Sequence, residues 1–173
     1  MKMSYDLNIL VQQQEKPVEL PFQSSIQIKN ELQEELRYKD IWNFMTQTKG
    51  LWYCLGVQRD ELFDAYTICN SDFEIDEKDI LMPYWVTDED VKYNLTPLIV
   101  NEQHFNDFCK IIKYMLKQSP VNTLMMLARY QGGENEIVCG VLSYEEFIKL
   151  LNERKILFNV CYIIHLTEFE RHK

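Results

Sequence analysis

Apolar and polar residues fall in blocks along this chain, and the period of each block predicts an element. Residues 3–11 (MSYDLNILV) form a short apolar run suited to an opening strand. Residues 12–22 contain Pro17 and Pro21 and read as a connection. From Ser24 or Ser25 to about Thr48 the period turns helical. Ile28, Leu32, Leu36, Ile41, Trp42 and Met45 form the apolar stripe, with Lys29, Glu31, Glu34, Glu35 and Arg37 between them. Gly50 is placed to stop that helix. Residues 51–57 and 62–69 are rich in aromatic and aliphatic side chains and flank the polar stretch 58–61, which predicts a hairpin. Residues 94–100 suit one more short strand, confined by Pro97 to an edge or a loop.

The last third carries the clearest periods. In residues 101–118, Phe105, Phe108, Cys109, Ile112, Met115 and Leu116 form a helical stripe, ended by Ser119 and Pro120. His104 is expected to face away from it. Residues 121–131 are almost continuously apolar, as in a buried central strand. Gly132 and Gly133 signal a turn, and 136–142 then reads as the returning strand of a hairpin. Ser143 opens a short helix with a capping box to Glu146, a hydrophobic staple of Leu142 and Phe147, and an apolar face of Phe147, Ile148, Leu150 and Leu151. Residues 156–166 form a final strongly apolar strand before a polar tail, 167–173. No repeat or linker divides the chain. The expectation is therefore one α+β domain over residues 1–173: a mostly antiparallel sheet with two main helices and one short helix packed on it.

Composition narrows the chemistry. The 173 residues include 18 basic and 27 acidic side chains, a net charge of -9 that repels phosphate backbones and argues against direct nucleic-acid binding. No apolar run reaches the roughly 20 residues needed to cross a bilayer, and Asp6 interrupts any signal-like core near the start. Five cysteines (Cys54, Cys69, Cys109, Cys139, Cys161) are scattered in apolar contexts, without C-x-x-C spacing. That pattern suits buried, reduced thiols and a cytoplasmic protein.

Enzyme signatures fare poorly. His104, His165 and His172 each stand alone, and no P-loop, G-x-G-x-x-G or G-x-S-x-G is present. Asn70, Asp72, Glu74 and Asp76 alternate like the oxygen donors of a calcium loop. The glycine needed at the sixth place and the glutamate needed at the twelfth are replaced by Glu77 and Pro83 in one register, and by Ile75 and Leu81 in the other. No metal and no cofactor is expected.

The charge itself is localised. Residues 70–90 hold eight acids against Lys78 alone, so this stretch carries -7 of the chain's -9. It also holds Phe73, Ile75, Ile80, Met82, Tyr84, Trp85 and Val86. Aromatic anchors inside an acidic rim suit a basic protein partner. The expected binding residues are Asp72, Glu74, Asp76, Asp79, Tyr84, Trp85, Asp88, Glu89 and Asp90. The plainer alternative is a solvated loop whose Tyr84 and Trp85 pack onto the core.

The C-terminal wording adds a family likeness. Ala128-Arg129-Tyr130-Gln131, Gly132-Gly133, Glu136-Ile137-Val138-Cys139-Gly140, Ser143-Tyr144-Glu145-Glu146-Phe147 and Leu157-Phe158-Asn159-Val160-Cys161-Tyr162 follow in that order, and Met3-Ser4-Tyr5-Asp6-Leu7 opens the chain. This resembles small cytoplasmic immunity proteins of bacterial polymorphic or contact-dependent toxin systems. The resemblance implies a non-catalytic binder that occludes a cognate toxin, and it transfers no catalytic residue or cofactor. With the acidic stretch, the expected partner is a basic, nuclease-like toxin domain. The alternative is a small cytoplasmic enzyme with a Cys/His site, or an accessory protein of a metabolic operon.

Overall fold

The computed structural model describes residues 5–31, 47–65, 68–70, 97–130 and 138–167. The opening apolar run becomes strand β1 (Tyr5–Gln12), which is buried along almost its whole length. Such a strand needs neighbours on both edges. It pairs antiparallel with β3 (Gly50–Arg59) on one edge and β7 (Thr123–Tyr130) on the other, so that Ile9 stands opposite both Tyr53 and Met126. Beyond β3 lies β2 (Gln27–Glu31); beyond β7 lie β9 (Cys161–His165) and then β8 (Val138–Ser143). The short β4 (Leu62–Asp64) pairs with the far end of β3. A separate two-stranded ladder joins β5 (Cys69–Asn70) to β6 (Ile99–Val100). Among the described residues, helices α1 (Glu102–Gln118) and α2 (Tyr144–Asn152) join these strands in an α+β fold.

Strand alternation places Leu7, Ile9, Tyr53, Leu55, Met126, Ala128, Tyr162 and Ile164 on one sheet face. Both helices lie against that face. Phe147 of α2 packs its ring 6.4 Å from Tyr162 and 6.5 Å from Phe108 of α1, and the Tyr144 hydroxyl donates to the Cys109 carbonyl of α1 at 3.1 Å. Phe108, Ile111, Ile112, Met115 and Leu116 are fully buried beneath α1. Each such side chain contributes about 1.5–3 kcal/mol on leaving water. At Gly50 a Cβ would run into the Val11 carbonyl, so β3 begins with an approach to β1 that glycine alone permits.

Several expectations held. The 51–57/62–69 hairpin is present, with a tight turn in which Asp60 takes a left-handed φ of 51°. Its second strand is only Leu62–Asp64, and Cys69 belongs to the separate β5–β6 ladder. The 94–100 strand shrinks to Ile99–Val100. The Ser143 cap forms as expected, with its hydroxyl accepting from the Glu146 N–H at 3.1 Å. The apolar run 121–131 does become a central strand, paired on both edges.

Other expectations are corrected. Residues 27–31 are a strand and not the start of a helix. Ser24 accepts from the Ile26 N–H at 3.0 Å, a two-residue side-chain turn that starts a strand where a helix cap was expected. Gln-Ile-Lys-Asn-Glu fits period two as well as period 3.6, and pairing with β3 decides the outcome. Residues 32–46, the rest of that expected helix, lie outside the described residues.

The hairpin expected across Gly132-Gly133 is also replaced. β9 inserts between β7 and β8, and β8 runs parallel to β9. The β8–α2–β9 segment is a crossover, the connection a parallel pair requires. The remaining named strand pairs are antiparallel. The final strand covers only Cys161–His165, since a left-handed Asn159 (φ 63°) breaks the run before it. The stripe of α1 is rotated relative to the expected one: His104 is 9% exposed and Ile111 is buried, while Phe105 and Cys109 are half-buried. The spacing 104, 108, 111, 112, 115 follows the 3.6-residue period that a choice of apolar letters alone misplaced by one position.

Candidate functional site

The nine expected binding residues, Asp72 to Asp90, lie outside the described residues. The residues that flank them are described. Asn70 of β5 stands opposite Ile99 of β6, and Cys69 opposite Val100, so the chain departs and returns at a paired neck. Ile68, Cys69, Leu98 and Val100 are buried there. The returning side is tied to the core by the Leu98 N–H to Ile156 carbonyl bond at 2.6 Å and the Pro97–Leu157 bridge. The Asn101 N–H donates to the Ile68 carbonyl at 2.7 Å and closes the neck against α1. The chain is thus fixed at one place on either side of residues 71–96.

A second cluster was not foreseen from the sequence. The Ser25 N–H and hydroxyl donate to one Asp107 oxygen at 2.9 and 2.7 Å, and His104 Nδ1 lies 2.7 Å from Ser25 Oγ. The residue types are those of a hydrolytic triad, but the roles differ. In a triad the carboxylate orients the imidazole, which takes the serine proton. Here the carboxylate holds the serine itself. Gln103 Nε2 lies 3.3 Å from His104 Nε2, and as a donor there it leaves the histidine proton on Nδ1, pointing at the serine. His104 is then no base toward Ser25. The cluster works as a tether from the connection before β2 to the first turns of α1, across some 80 residues of sequence. No spacing rule reveals so distant a contact.

The bonds from Ser25, first the backbone N–H and then the hydroxyl, hold the Asp107 carboxyl below the ordinary carboxylate range, with Lys110 and His104 assisting. A depressed carboxylate stabilises the fold above its unfolded pKa of about 4 and loses that contribution as pH falls through the folded value. The expected result is that wild type is more stable than Asp107→Asn at pH 7, with the difference vanishing toward pH 2. Urea titrations of both proteins across that range check it. A difference that persists undiminished at pH 2 would rule out the carboxylate as its source.

The cysteine and histidine placements bear on the enzyme alternative. Cys54, Cys69 and Cys161 are buried, and Cys109 is half-buried. Burial pushes Cys109 up to about 11, Cys161 up to about 12 and Cys69 higher still, so these thiols stay protonated at neutral pH. His165 is half-buried at the end of β9, and His172 lies outside the described residues. Among the described residues, no group of three His, Cys, Asp or Glu side chains is placed to hold a metal ion. No described helix is long and apolar enough to cross a membrane.

Two grooves lie on the described surface. One of about 520 Å³ runs between the 19–29 segment and the β3–β4 hairpin, walled by Leu20, Phe22, Ile28 and Phe63. The other, about 560 Å³, lies between the start of α1 and the end of α2, walled by Phe105, Leu151 and Arg154. On the sheet face opposite the helices, Asn8, Glu31 and Arg129 are buried polar residues, and Asp6 stands directly opposite Arg129. No family model matches the chain, and neither the curated proteins nor the solved structures contain a match to it.

Proposed function

We propose that this protein is a cytoplasmic, non-catalytic immunity-type binder that occludes a basic, nuclease-like toxin domain through its acidic and aromatic segment. The observation that carries the proposal is the confinement of -7 of the net charge to residues 70–90. Its support in the fold is the neck, where Asn70 pairs with Ile99, so that the chain is held on both sides of residues 71–96 at one place. A fixed, concentrated negative field steers a basic partner and competes for the lysines and arginines that otherwise hold phosphate. Tyr84 and Trp85 are the anchors of the contact, since aromatic residues bury large area at small entropic cost. The likeness of the C-terminal wording to immunity proteins supports the same reading. The protonated state of Cys69, Cys109 and Cys161 and the bond from Ser25 to Asp107 favour this reading over a Cys/His enzyme built on those residues.

The test is Trp85→Ala, measured for affinity and for melting temperature on the same preparation. As an anchor, Trp85 contributes ~2 kcal/mol or more of binding, and its removal weakens affinity roughly 30-fold with little change in Tm. A lowered Tm with unchanged affinity per folded molecule would make Trp85 a core residue and remove it from the interface.

A further inference from the structure

We propose that Tyr5 is the positioning residue of the neck, holding the outgoing end of the acidic segment to the main sheet; the inference rests on the binding role proposed for that segment. A ladder of two residues per strand is too short to persist by itself. The returning strand has its own main-chain ties, through Leu98 to Ile156 and Pro97 to Leu157. The outgoing strand has the main-chain bond from Asn101 to Ile68, and its tie to the main sheet is made by a side chain. The Tyr5 phenol, on β1, donates to the Cys69 carbonyl at 3.0 Å and the Ala65 carbonyl at 2.8 Å, its single proton shared between them. Ala65 also accepts from the Ile68 N–H at 3.0 Å, so the phenol caps the turn that leads into β5. The ring is 6% exposed and held edge-on to Phe158, with centroids 5.0 Å apart and planes at 73°. The phenol is thereby aimed by packing and spans from the first strand of the sheet to the first residue of the neck.

A fixed departure point matters for binding because the ends of the segment are ordered before the partner arrives. Loosening one end adds conformational entropy that the complex must remove. The charges themselves are untouched, so the cost falls on dissociation and not on the steered encounter.

The experiment compares wild type, Tyr5→Phe, and Tyr5→Phe with Val100→Cys, using amide hydrogen exchange and the kinetics of heptalysine binding at low salt. Tyr5→Phe keeps the ring on Phe158 and removes the phenol. The expected result is about tenfold faster exchange at Cys69 and Asn70, with the amides of β1 and β7 unchanged. Heptalysine should dissociate several-fold faster, with its association rate and salt dependence preserved. The register sets Cys69 opposite Val100, and facing residues of an antiparallel pair lie within disulfide reach, so oxidation of the Val100→Cys variant should restore both quantities. Native exchange at the neck in Tyr5→Phe, or equal acceleration throughout the sheet, would overturn the role of Tyr5. Failure of wild type to bind heptalysine at low salt would instead overturn the acidic segment as a surface for basic partners, and the exchange data would still decide the place of Tyr5.

Discussion

Under the proposed function, reversing Asp88, Glu89 and Asp90 to lysine should slow association with a basic partner by ~10-fold or more at low salt and flatten its salt dependence. Replacing three acids by three lysines changes the charge of residues 70–90 from -7 to about -1, so the field that draws a cationic surface is nearly abolished. Dissociation changes much less, because steering acts before contact. Circular dichroism and melting should stay close to wild type, as expected of charges that act on a partner and not on the core. Stopped-flow association at several salt concentrations reads the effect. A reversed protein that keeps the native on-rate and the native salt dependence would show that another surface makes the contact.

The neck holds the chain on both sides of residues 71–96. Residues 97–101 return to the fold through main-chain bonds to 68 and 156, and the turn before residue 69 is capped from β1. The segment's base therefore moves with the sheet. The thiols and the Ser25–His104–Asp107 tether fit a role in the same body: apolar fillers and a polar tie between distant parts of the chain.

The second large effect concerns the core. Phe147→Ala should destabilise the fold by about 3–5 kcal/mol, a sizeable share of the 5–15 kcal/mol that holds a typical domain together. The ring is fully buried and meets Phe108 of α1 and Tyr162 of β9, so three elements lose a shared neighbour. The position cannot close by collapse of α2 alone, because Tyr144 and the Ser143 cap fix the start of that helix. Urea unfolding measures the loss. A midpoint shift equivalent to less than 1 kcal/mol would mean that the two helices do not share the core through this residue.

What the sequence reveals and what it conceals divides along physical lines. β1, α1, β7 and the start of α2 are legible because period, apolar content and cap chemistry agree locally with the burial that the tertiary structure supplies. β2 is not, since Gln27–Glu31 satisfies two periods and only its pairing with β3 chooses between them. The neighbours of β8 are equally hidden. Its turn signal with β7 is local, whereas the insertion of β9 depends on where the α2 crossover returns the chain. The acidic segment is legible as composition, a property of letters. The Ser25–His104–Asp107 tether and the Tyr5 phenol join residues about 60 to 80 positions apart, and no spacing pattern carries such contacts.

The central claim is that residues 70–90 select a basic protein partner. The direct measurement is side-by-side capture from a native-cell lysate at low salt, with wild type and the Asp88→Lys, Glu89→Lys, Asp90→Lys triple variant, read by quantitative mass spectrometry. The account predicts a strongly basic polypeptide retained by wild type, released by raised salt and lost from the variant. Retention of the same polypeptide in equal amount by both proteins, or a wild-type partner that is itself acidic, would contradict it.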